Sequence, residues 1–499
     1  MDFVDYYAIL GVPPSASEEE LRRSYRLAAR RFHPDVNKSP GAASAFRDVD
    51  SAYKVLSDPH ERQEYDRLWQ QYKASAPALL VETFLSRRYV RPLDEPQLLY
   101  VLLKVQPVLE MSLAADAPLN VCLVVDRSTS MKGARLQHVK RAAQHIITEC
   151  GAEDILSVVT FSDRAEVVIP AQPVVDAPSM KALVSTIRAG GSTSIRAGLQ
   201  AGLAQVERHR HPRYVNHLIL ITDGRTYGDE EACLALAREA REAGIGISGM
   251  GIGEDWNDSF LDRLASITGG TSAYIGSLEA ISRFLRERVR SLATAYAERS
   301  WLNVAPAVDV ELDSAVRIAP SPMRLETATC PISLGALNGL AGTRVVLQFR
   351  LRTGASASGE FFVGRLDVGG EVLGSGQHKE RVTLDLNVQV APDAAQEEPP
   401  PELFDALSRL VLYRLQERAR EAVESGDIAE ATRKLEALAT RLLEQGQEAL
   451  AQRALAEARQ VMRTRSLSEE GAKQLKYGTR ALLPSTGDAG NDQVSELPT

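Results

Sequence analysis

The sequence predicts a multidomain chain: an all-α N-terminal segment, a doubly wound α/β domain flanked by a β-sandwich, and C-terminal helical hairpins. Three observations carry this. At 499 residues the chain exceeds what one hydrophobic core organises. Between Asn120 and residue 295, continuous apolar runs alternate with amphipathic helical stretches, the pattern of strands buried on both faces and covered by helices. Outside that stretch the period falls to two, with Val345, Leu347, Phe349 and Leu351, then Val382, Leu384, Leu386, Val388 and Val390, recurring at every second position.

Composition narrows the function classes. A hydrophobic fraction of 44% with 25% charged residues is ordinary for globular protein, and a net charge of −8 argues against general nucleic-acid affinity. Cys122, Cys150, Cys233 and Cys330 lie far apart with no C-x-x-C pair, which points to a reducing compartment. The start MDFVDYYAIL lacks a basic n-region and a signal-length apolar core, and no later run reaches about 18 apolar residues. A cytoplasmic chain without a membrane span is expected.

In the N-terminal segment, Asp5 to Leu10 predict a short helix stopped at Gly11-Val12-Pro13-Pro14. Ser17 and Glu20 make a capping-box pattern opening a second helix. Along it Leu21, Tyr25, Ala28, Ala29 and Phe32 share one face, while Arg22, Arg26 and Arg30 stack beside them, with Arg23 adjacent. Pro34 ends this helix. A third helix is expected to bury Phe46, Val49, Tyr53 and Leu56, and Asp58-Pro59 opens a fourth that ends near Trp69.

A charge stripe alone is usually a solvated face, and His33-Pro34-Asp35 alone is a turn tripeptide. Placed between a basic helix and an apolar one, with VLSDPHERQEYD following, they resemble the J domain of DnaJ-type co-chaperones over residues 1–73. The resemblance implies a DnaK-type chaperone as partner. Arg22, Arg26 and Arg30, with Tyr25 beside them, would meet an acidic patch on its ATPase domain, giving steering more than affinity. His33, Pro34 and Asp35 would act by contact at the crevice where the ATPase domain meets its linker, not as acid, base or nucleophile. Leu27 stands where the family often carries another basic residue, and no Gly/Phe-rich segment or zinc-ribbon insert follows.

In the α/β segment, Val121 to Val125, Ile155 to Phe161, Val167 to Ile169, His217 to Thr222 and Ile245 to Ile252 read as strands. Leu136, Val139, Ala143, Ile146 and Ile147 mark the first covering helix; others are expected near 178–189, 195–208, 229–242, 258–266 and 278–293. Ligands of such sheets sit outside the carboxyl ends of strands, where Asp126, Ser128 and Ser130, Thr193 after two glycines, and Asp223 all fall. Alternate spacing lets Asp126, Ser128 and Ser130 face one centre. Five oxygen donors with two carboxylates suit a hard divalent cation that keeps some water, Mg2+ first and Mn2+ as the alternative. The set resembles the metal-ion-dependent adhesion site of von Willebrand factor A domains, over residues 118–295. By that resemblance Asp126 is central, Ser128 and Ser130 bind directly, and Thr193 and Asp223 bind directly or through water. One coordination position stays open for a partner's Asp or Glu. Arg127 and Met131 are expected on the loop without binding metal, and His209 and His211 at a solvated helix end.

Residues 78–117 and 297–391 are expected to build one β-sandwich with the A domain inserted, followed by an acidic, proline-rich linker from Ala391 to Pro401. Residues 402–483 read as helical, with turns at Gly426-Asp427 and Gly446. They fit a tetratricopeptide-style pair or a bundle packing on the sandwich, and two turns do not make a repeat array. Residues 484–499 read as a disordered tail. No Walker A loop, G-x-S-x-G elbow or nucleophile beside a base is present, so no enzyme is expected. The leading functional expectation is a co-chaperone adaptor. The alternative is a metal-dependent interaction scaffold in which the J domain only tethers the chaperone.

Overall fold

The computed structural model describes residues 4–74, 79–108, 117–224, 228–320, 322–339, 342–373, 378–393 and 397–483. The expected disordered tail lies outside these. The chain divides into two compact units. One is Met1–Ala117 with Thr294–Arg317 and Arg324–Leu403; the other is Pro118–Ala293 with Ile318–Met323 and Phe404–Thr499.

In chain order, four helices come first: α1 (Tyr6–Leu10), α2 (Glu18–Phe32), α3 (Ala42–Ser57) and α4 (Pro59–Ala74). Strands β1 (Leu79–Leu85), β2 (Tyr89–Val90) and β3 (Gln97–Pro107) follow. The next segment begins β4 (Leu119–Asp126), α5 (Ala134–Glu149), β5 (Ile155–Phe161), β6 (Ala165–Pro173), α6 (Ala177–Ser185) and α7 (Ile195–Glu207). It continues β7 (Val215–Thr222), α8 (Glu230–Ala243), β8 (Gly246–Ile252), α9 (Asp258–Ile267), β9 (Ser272–Ile275) and α10 (Leu278–Ala293). Strands β10 (Ala295–Pro306), β11 (Val310–Ala319), β12 (Met323–Arg324), β13 (Ile332–Asn338), β14 (Thr343–Leu351), β15 (Gly359–Val372) and β16 (His378–Val390) come next. The chain closes with α11 (Pro401–Glu424), α12 (Ile428–Glu444), α13 (Glu448–Thr464) and α14 (Glu469–Ala481).

In the first unit, α2 opens on a full capping box: Ser17 Oγ accepts from the Glu20 N–H, and the Glu20 carboxylate accepts from the Ser17 N–H at 2.7 Å. Leu21, Ala28, Phe32, Val49 and Leu56 are buried in the helical core. Phe46 and Tyr53 were expected there too, but they are only half-buried. The small side chains of Ala45 and Ala52 take the centre, and Tyr53 stacks on Tyr25 at 4.2 Å. Helix α4 runs past Trp69 to Ala74 because Gln70-Gln71-Tyr72-Lys73 contains no breaker.

The sandwich pairs one five-stranded sheet, β1-β3-β14-β11-β12, with another, β13-β10-β15-β16-β2. Register aligns the period-two residues across strands, with Leu103 opposite Val345, Val101 opposite Leu347 and Leu99 opposite Phe349. All six are buried in a core shared with Leu302, Val304, Leu366, Val368, Leu386 and Val388 of the second sheet.

The helical segment is packed onto this sandwich. The Asn37 amide, 4% exposed, donates to the Pro306 carbonyl at 2.8 Å and to the Arg31 carbonyl at 3.1 Å. The Arg365 guanidinium donates to the Ile9 carbonyl at 2.7 Å and grips Asp385 at 2.7 and 3.0 Å. Arg381 bridges Asp48 at 2.7 Å and Asp367 at 2.9 Å. Phe32 meets Phe362 edge-on at 6.1 Å. At Gly41, a Cβ would lie 2.1 Å from the Val304 carbonyl oxygen and 2.8 Å from Asn303 Oδ1, so backbone meets backbone there. Gly41→Val is therefore expected to cost about 1–3 kcal/mol by overpacking, with faster amide exchange through the first turns of α3. Unchanged exchange there would show that this face is not packed.

In the second unit the sheet order is β6-β5-β4-β7-β8-β9, parallel except for the antiparallel β5–β6 pair. Strand β9, only four residues long, carries too little pattern to be read in advance. β4 and β7 run side by side with Val125 opposite Ile221, which brings Asp126 and Asp223 to one edge of the sheet. Cys122, Val124, Phe161, Leu218 and Leu220 pack under Leu199 of α7, Leu234 of α8 and Leu261 of α9.

The C-terminal helices were open between a tetratricopeptide-style pair and a bundle on the sandwich. They share their compact unit with the α/β domain instead. Helices α12 and α13 bury Leu435, Leu438, Leu442, Leu450, Ala454 and Val461 together. Helix α14 then meets α9 through charge. Lys476 Nζ lies 2.5 Å from Asp258 and 2.7 Å from Asp262, Arg480 Nη1 donates to Asp262 at 2.9 Å, and Arg420 of α11 pairs with Asp258 at 2.8 Å. In sequence these residues look like surface charges of separate helices, which is why the partner could not be read.

Candidate functional site

The oxygen-rich site is built where β4 and β7 end. Asp126 and Asp223 have no measurable exposure and Ser128 is 2% exposed. Asp126 Oδ1 accepts from the Ser128 N–H at 2.7 Å, which folds the loop back over the strand end. Asp126 Oδ2 accepts from Thr222 Oγ1 at 2.7 Å. Ser128 Oγ and Ser130 Oγ lie 3.0 Å apart, and Ser130 Oγ donates to Asp223 Oδ1 at 2.7 Å. Thr193 reaches the same edge: its Oγ1 is 3.1 Å from where a Cβ on Gly224 would stand.

The Thr193 loop is tied down locally. Gly190 N donates to the Arg127 carbonyl at 2.7 Å, and Thr129 donates to the Gly191 carbonyl through its N–H at 3.1 Å and its hydroxyl at 3.0 Å. Gly191 has φ +92°, and a Cβ there would sit 2.6 Å from Asp163 Oδ2, so glycine is required at this crossing. All five expected donors thus gather at one edge of the sheet. Met131 is buried in the short turn after Ser130, and Arg127 pairs with Glu166 at 3.7 Å.

Burial pushes the Asp126 carboxyl upward, the hydrogen bonds from Ser128 and Thr222 pull it down, and Asp223 beside it pushes it up again; the net direction is up. Two carboxylates so placed favour a cation between or beside them. The donor chemistry fits a hard divalent ion: two carboxylates and three hydroxyls, all oxygen. Among the described residues no group of three or more His, Cys, Asp and Glu could hold a metal; the cluster here sets hydroxyls beside its two carboxylates.

Two participants escaped the sequence reading, Thr222 and Arg135. Arg135 Nη1 donates to Asp223 Oδ2 at 2.8 Å. A signal existed: a cation in the first turn of α5 opposes the helix dipole unless an acid pairs with it.

The His33 loop lies in the first unit. His33 caps the end of α2, and its carbonyl accepts from the N–H groups of Val36 and Asn37 at 2.9 and 2.8 Å. Its Nδ1 accepts from the Asp35 N–H at 3.2 Å, and its ring stands edge-on to Phe46 at 5.2 Å. The His33 and Asp35 side chains are 43% and 84% exposed. Arg22, Arg26 and Arg30 are exposed along α2, away from the Asn37, Gly41 and Phe32 contacts that hold the sandwich. Tyr25 is half-buried, its hydroxyl donating to Asp50 at 3.2 Å.

Three families match this chain: the DnaJ domain over residues 5–66, the von Willebrand factor type A domain over 120–286, and the Sll0103-like, C-terminal alpha-helical domain over 401–485. An uncharacterized protein, sll0103, of Synechocystis sp. is 29% identical over 332 residues, 64% of this chain and 78% of that protein. The Thermus thermophilus chaperone protein DnaJ 2 is 58% identical over 62 residues, 12% of this chain and only 22% of its own length. Among solved structures, a von Willebrand factor type A protein from Catenulispora acidiphila superposes with a TM-score of 0.64 at 17% identity, covering 81% of this chain and 96% of its own. The ArnB paralog VWA2 from Sulfolobus acidocaldarius gives 0.51 at 15% identity, covering 82% and 99%. These two likenesses concern fold alone.

Proposed function

We propose that this chain, which carries a DnaJ domain at residues 5–66 and a von Willebrand factor type A domain at 120–286, is a co-chaperone adaptor. In this reading the J domain stimulates the ATPase of a DnaK-type chaperone, and the A domain binds a protein partner through a divalent cation. The observation that carries it is one polypeptide with both an open His33-Pro34-Asp35 loop beside an exposed Arg22, Arg26 and Arg30 stripe and an oxygen cluster at a sheet edge in which Asp126, Ser128 and Asp223 are buried and Ser130 is exposed. Asp126, Ser128, Ser130, Thr193 and Asp223 would hold Mg2+, with Mn2+ the alternative. A cation bound there supplies a coordination position for a partner's Asp or Glu.

The protein's own groups act by contact and positioning rather than by covalent chemistry. The cytoplasm suits the four unpaired cysteines, and among the described residues no helix is long and apolar enough to cross a membrane.

The test crosses two substitutions in a pull-down with the full chain, with and without chelator. Asp126→Ala should lose Mg2+-dependent partner capture and keep chaperone recruitment, because no hydroxyl replaces a charged oxygen. His33→Gln should do the reverse. Loss of both activities from either substitution in a folded protein would show that the modules are not separable, and the adaptor reading would fail. Recruitment without any stimulation of ATP hydrolysis would favour the tethering scaffold.

A further inference from the structure

Arg135 sits in a place that its own helix disfavours. It is the second residue of α5, where the aligned peptide dipoles present positive charge and modestly disfavour a guanidinium, so an acid beside it is favoured. That acid is Asp223, at 2.8 Å. The two partners are unequally free. The Asp223 side chain is wholly buried and is further fixed by Ser130, whereas the Arg135 side chain is 36% exposed. It lies at an open cleft of about 460 Å3 bordered by Lys132, Ile252, Ile275 and Ser277. Gly253 makes the room: it has φ +71°, and a Cβ there would lie 3.0 Å from Arg135 Nη2. The guanidinium can therefore swing outward, and the carboxylate cannot.

We propose that Arg135 is a built-in occupant of the oxygen cluster, an internal cation that must release Asp223 before a divalent ion is held fully. This rests on the metal-dependent reading above and adds a regulator to it. Without a divalent ion, the guanidinium neutralises part of the repulsion between Asp126 and Asp223 and stabilises the strand ends. With one, a second positive charge beside Asp223 becomes unfavourable, and Arg135 moves toward the cleft. Metal binding and the ion pair are thus competing occupancies of one carboxylate. By linkage, whatever strengthens one weakens the other. The site would stay closed at low divalent-ion concentration, and a partner's carboxylate arriving with the metal would help expel the arginine.

The experiment titrates the full chain with Mg2+ and with Mn2+ by calorimetry and follows melting with and without each ion. Arg135→Gln should bind the metal on the order of tenfold more tightly, within the usual range of coupling between sites. The same variant should melt lower than wild type without metal and gain more on adding it. Arg135→Lys, which keeps the charge on a shorter reach without the fork, should tighten binding by less. Lys132→Gln removes one positive charge from the same cleft and should change affinity little.

Each outcome is decisive. If wild type binds metal and neither Arg135 variant binds it more tightly while folded, the inference is overturned and the metal site stands. If Lys132→Gln tightens binding as much as Arg135→Gln, the effect is general charge and the inference is overturned as well. If neither wild type nor Arg135→Gln binds Mg2+ or Mn2+, the metal-dependent reading itself fails.

Discussion

His33→Gln in the full-length chain is expected to reduce stimulation of single-turnover ATP hydrolysis by a cognate DnaK-type chaperone to the unstimulated rate. The geometry makes this a clean substitution. The turn after α2 is held through the His33 backbone, whose carbonyl accepts from Val36 and Asn37, and through the Asn37 side chain, which anchors to Pro306. The imidazole contributes one acceptor to the Asp35 N–H and an edge contact to Phe46. Glutamine should keep the turn and remove the ring, so melting should hardly move while stimulation disappears. Arg26→Glu should act differently. It reverses one charge in an exposed stripe, so the loss should fall on association rate and fade at high salt. Equal stimulation by wild type and His33→Gln would reject the contact mechanism even with the J fold intact.

The docking of the J domain changes what its fusion means. A module on a loose linker would raise the chaperone's local concentration by tethering alone. Here Arg365, Arg381 and Asn37 connect Ile9, Asp48 and Pro306 across one packed face, so the His33 loop is presented at a fixed place on the sandwich. None of this was legible in sequence. Asn37, Gly41, Arg365 and Arg381 carry no local signal of the partners they meet. Their partners are hundreds of positions away, where local pattern carries no information.

What was legible had short-range causes. The Ser17–Glu20 cap, the apolar run into Asp126 and the run LILIT into Asp223 are each set by neighbours within a few residues, and parallel pairing then brings the two acids together. Thr222 was hidden because its hydroxyl turns to Asp126 across the strands, a contact of 96 positions. Phe46 and Tyr53 misled because helical spacing shows which face is inward, not which residue on it sits deepest. In α3 the depth belongs to Ala45 and Ala52, where α2 comes close.

Asp262→Ala is expected to loosen α14 from the α/β domain, at a cost of about 3–5 kcal/mol, the range for removing one partner of a buried ion pair. Lys476 and Arg480 are 3% and 6% exposed at the side chain, and both converge on Asp262. Without that carboxylate, Lys476 keeps Asp258, already shared with Arg420, and Arg480 loses its acid. The same group sets an acid limit. Burial alone would raise the Asp262 carboxyl, but Arg480 and Lys476 outweigh it and hold it well below the usual carboxylate range; at Asp258 burial is likewise outweighed, by Lys476 and Arg420. A carboxylate whose folded pKa is depressed contributes stability that is fully present above its unfolded value, about 3.9, and is lost as pH falls through the folded one. Amide-exchange protection of α14 in wild type should therefore hold from pH 7 down to about 4 and weaken below that. In Asp262→Ala it should already be reduced at pH 7, with a flatter response to acid. Full protection of α14 in the variant at neutral pH would mean that apolar contacts, such as Leu475 in the helical core and Tyr477 against Trp256, hold the helix without the charges.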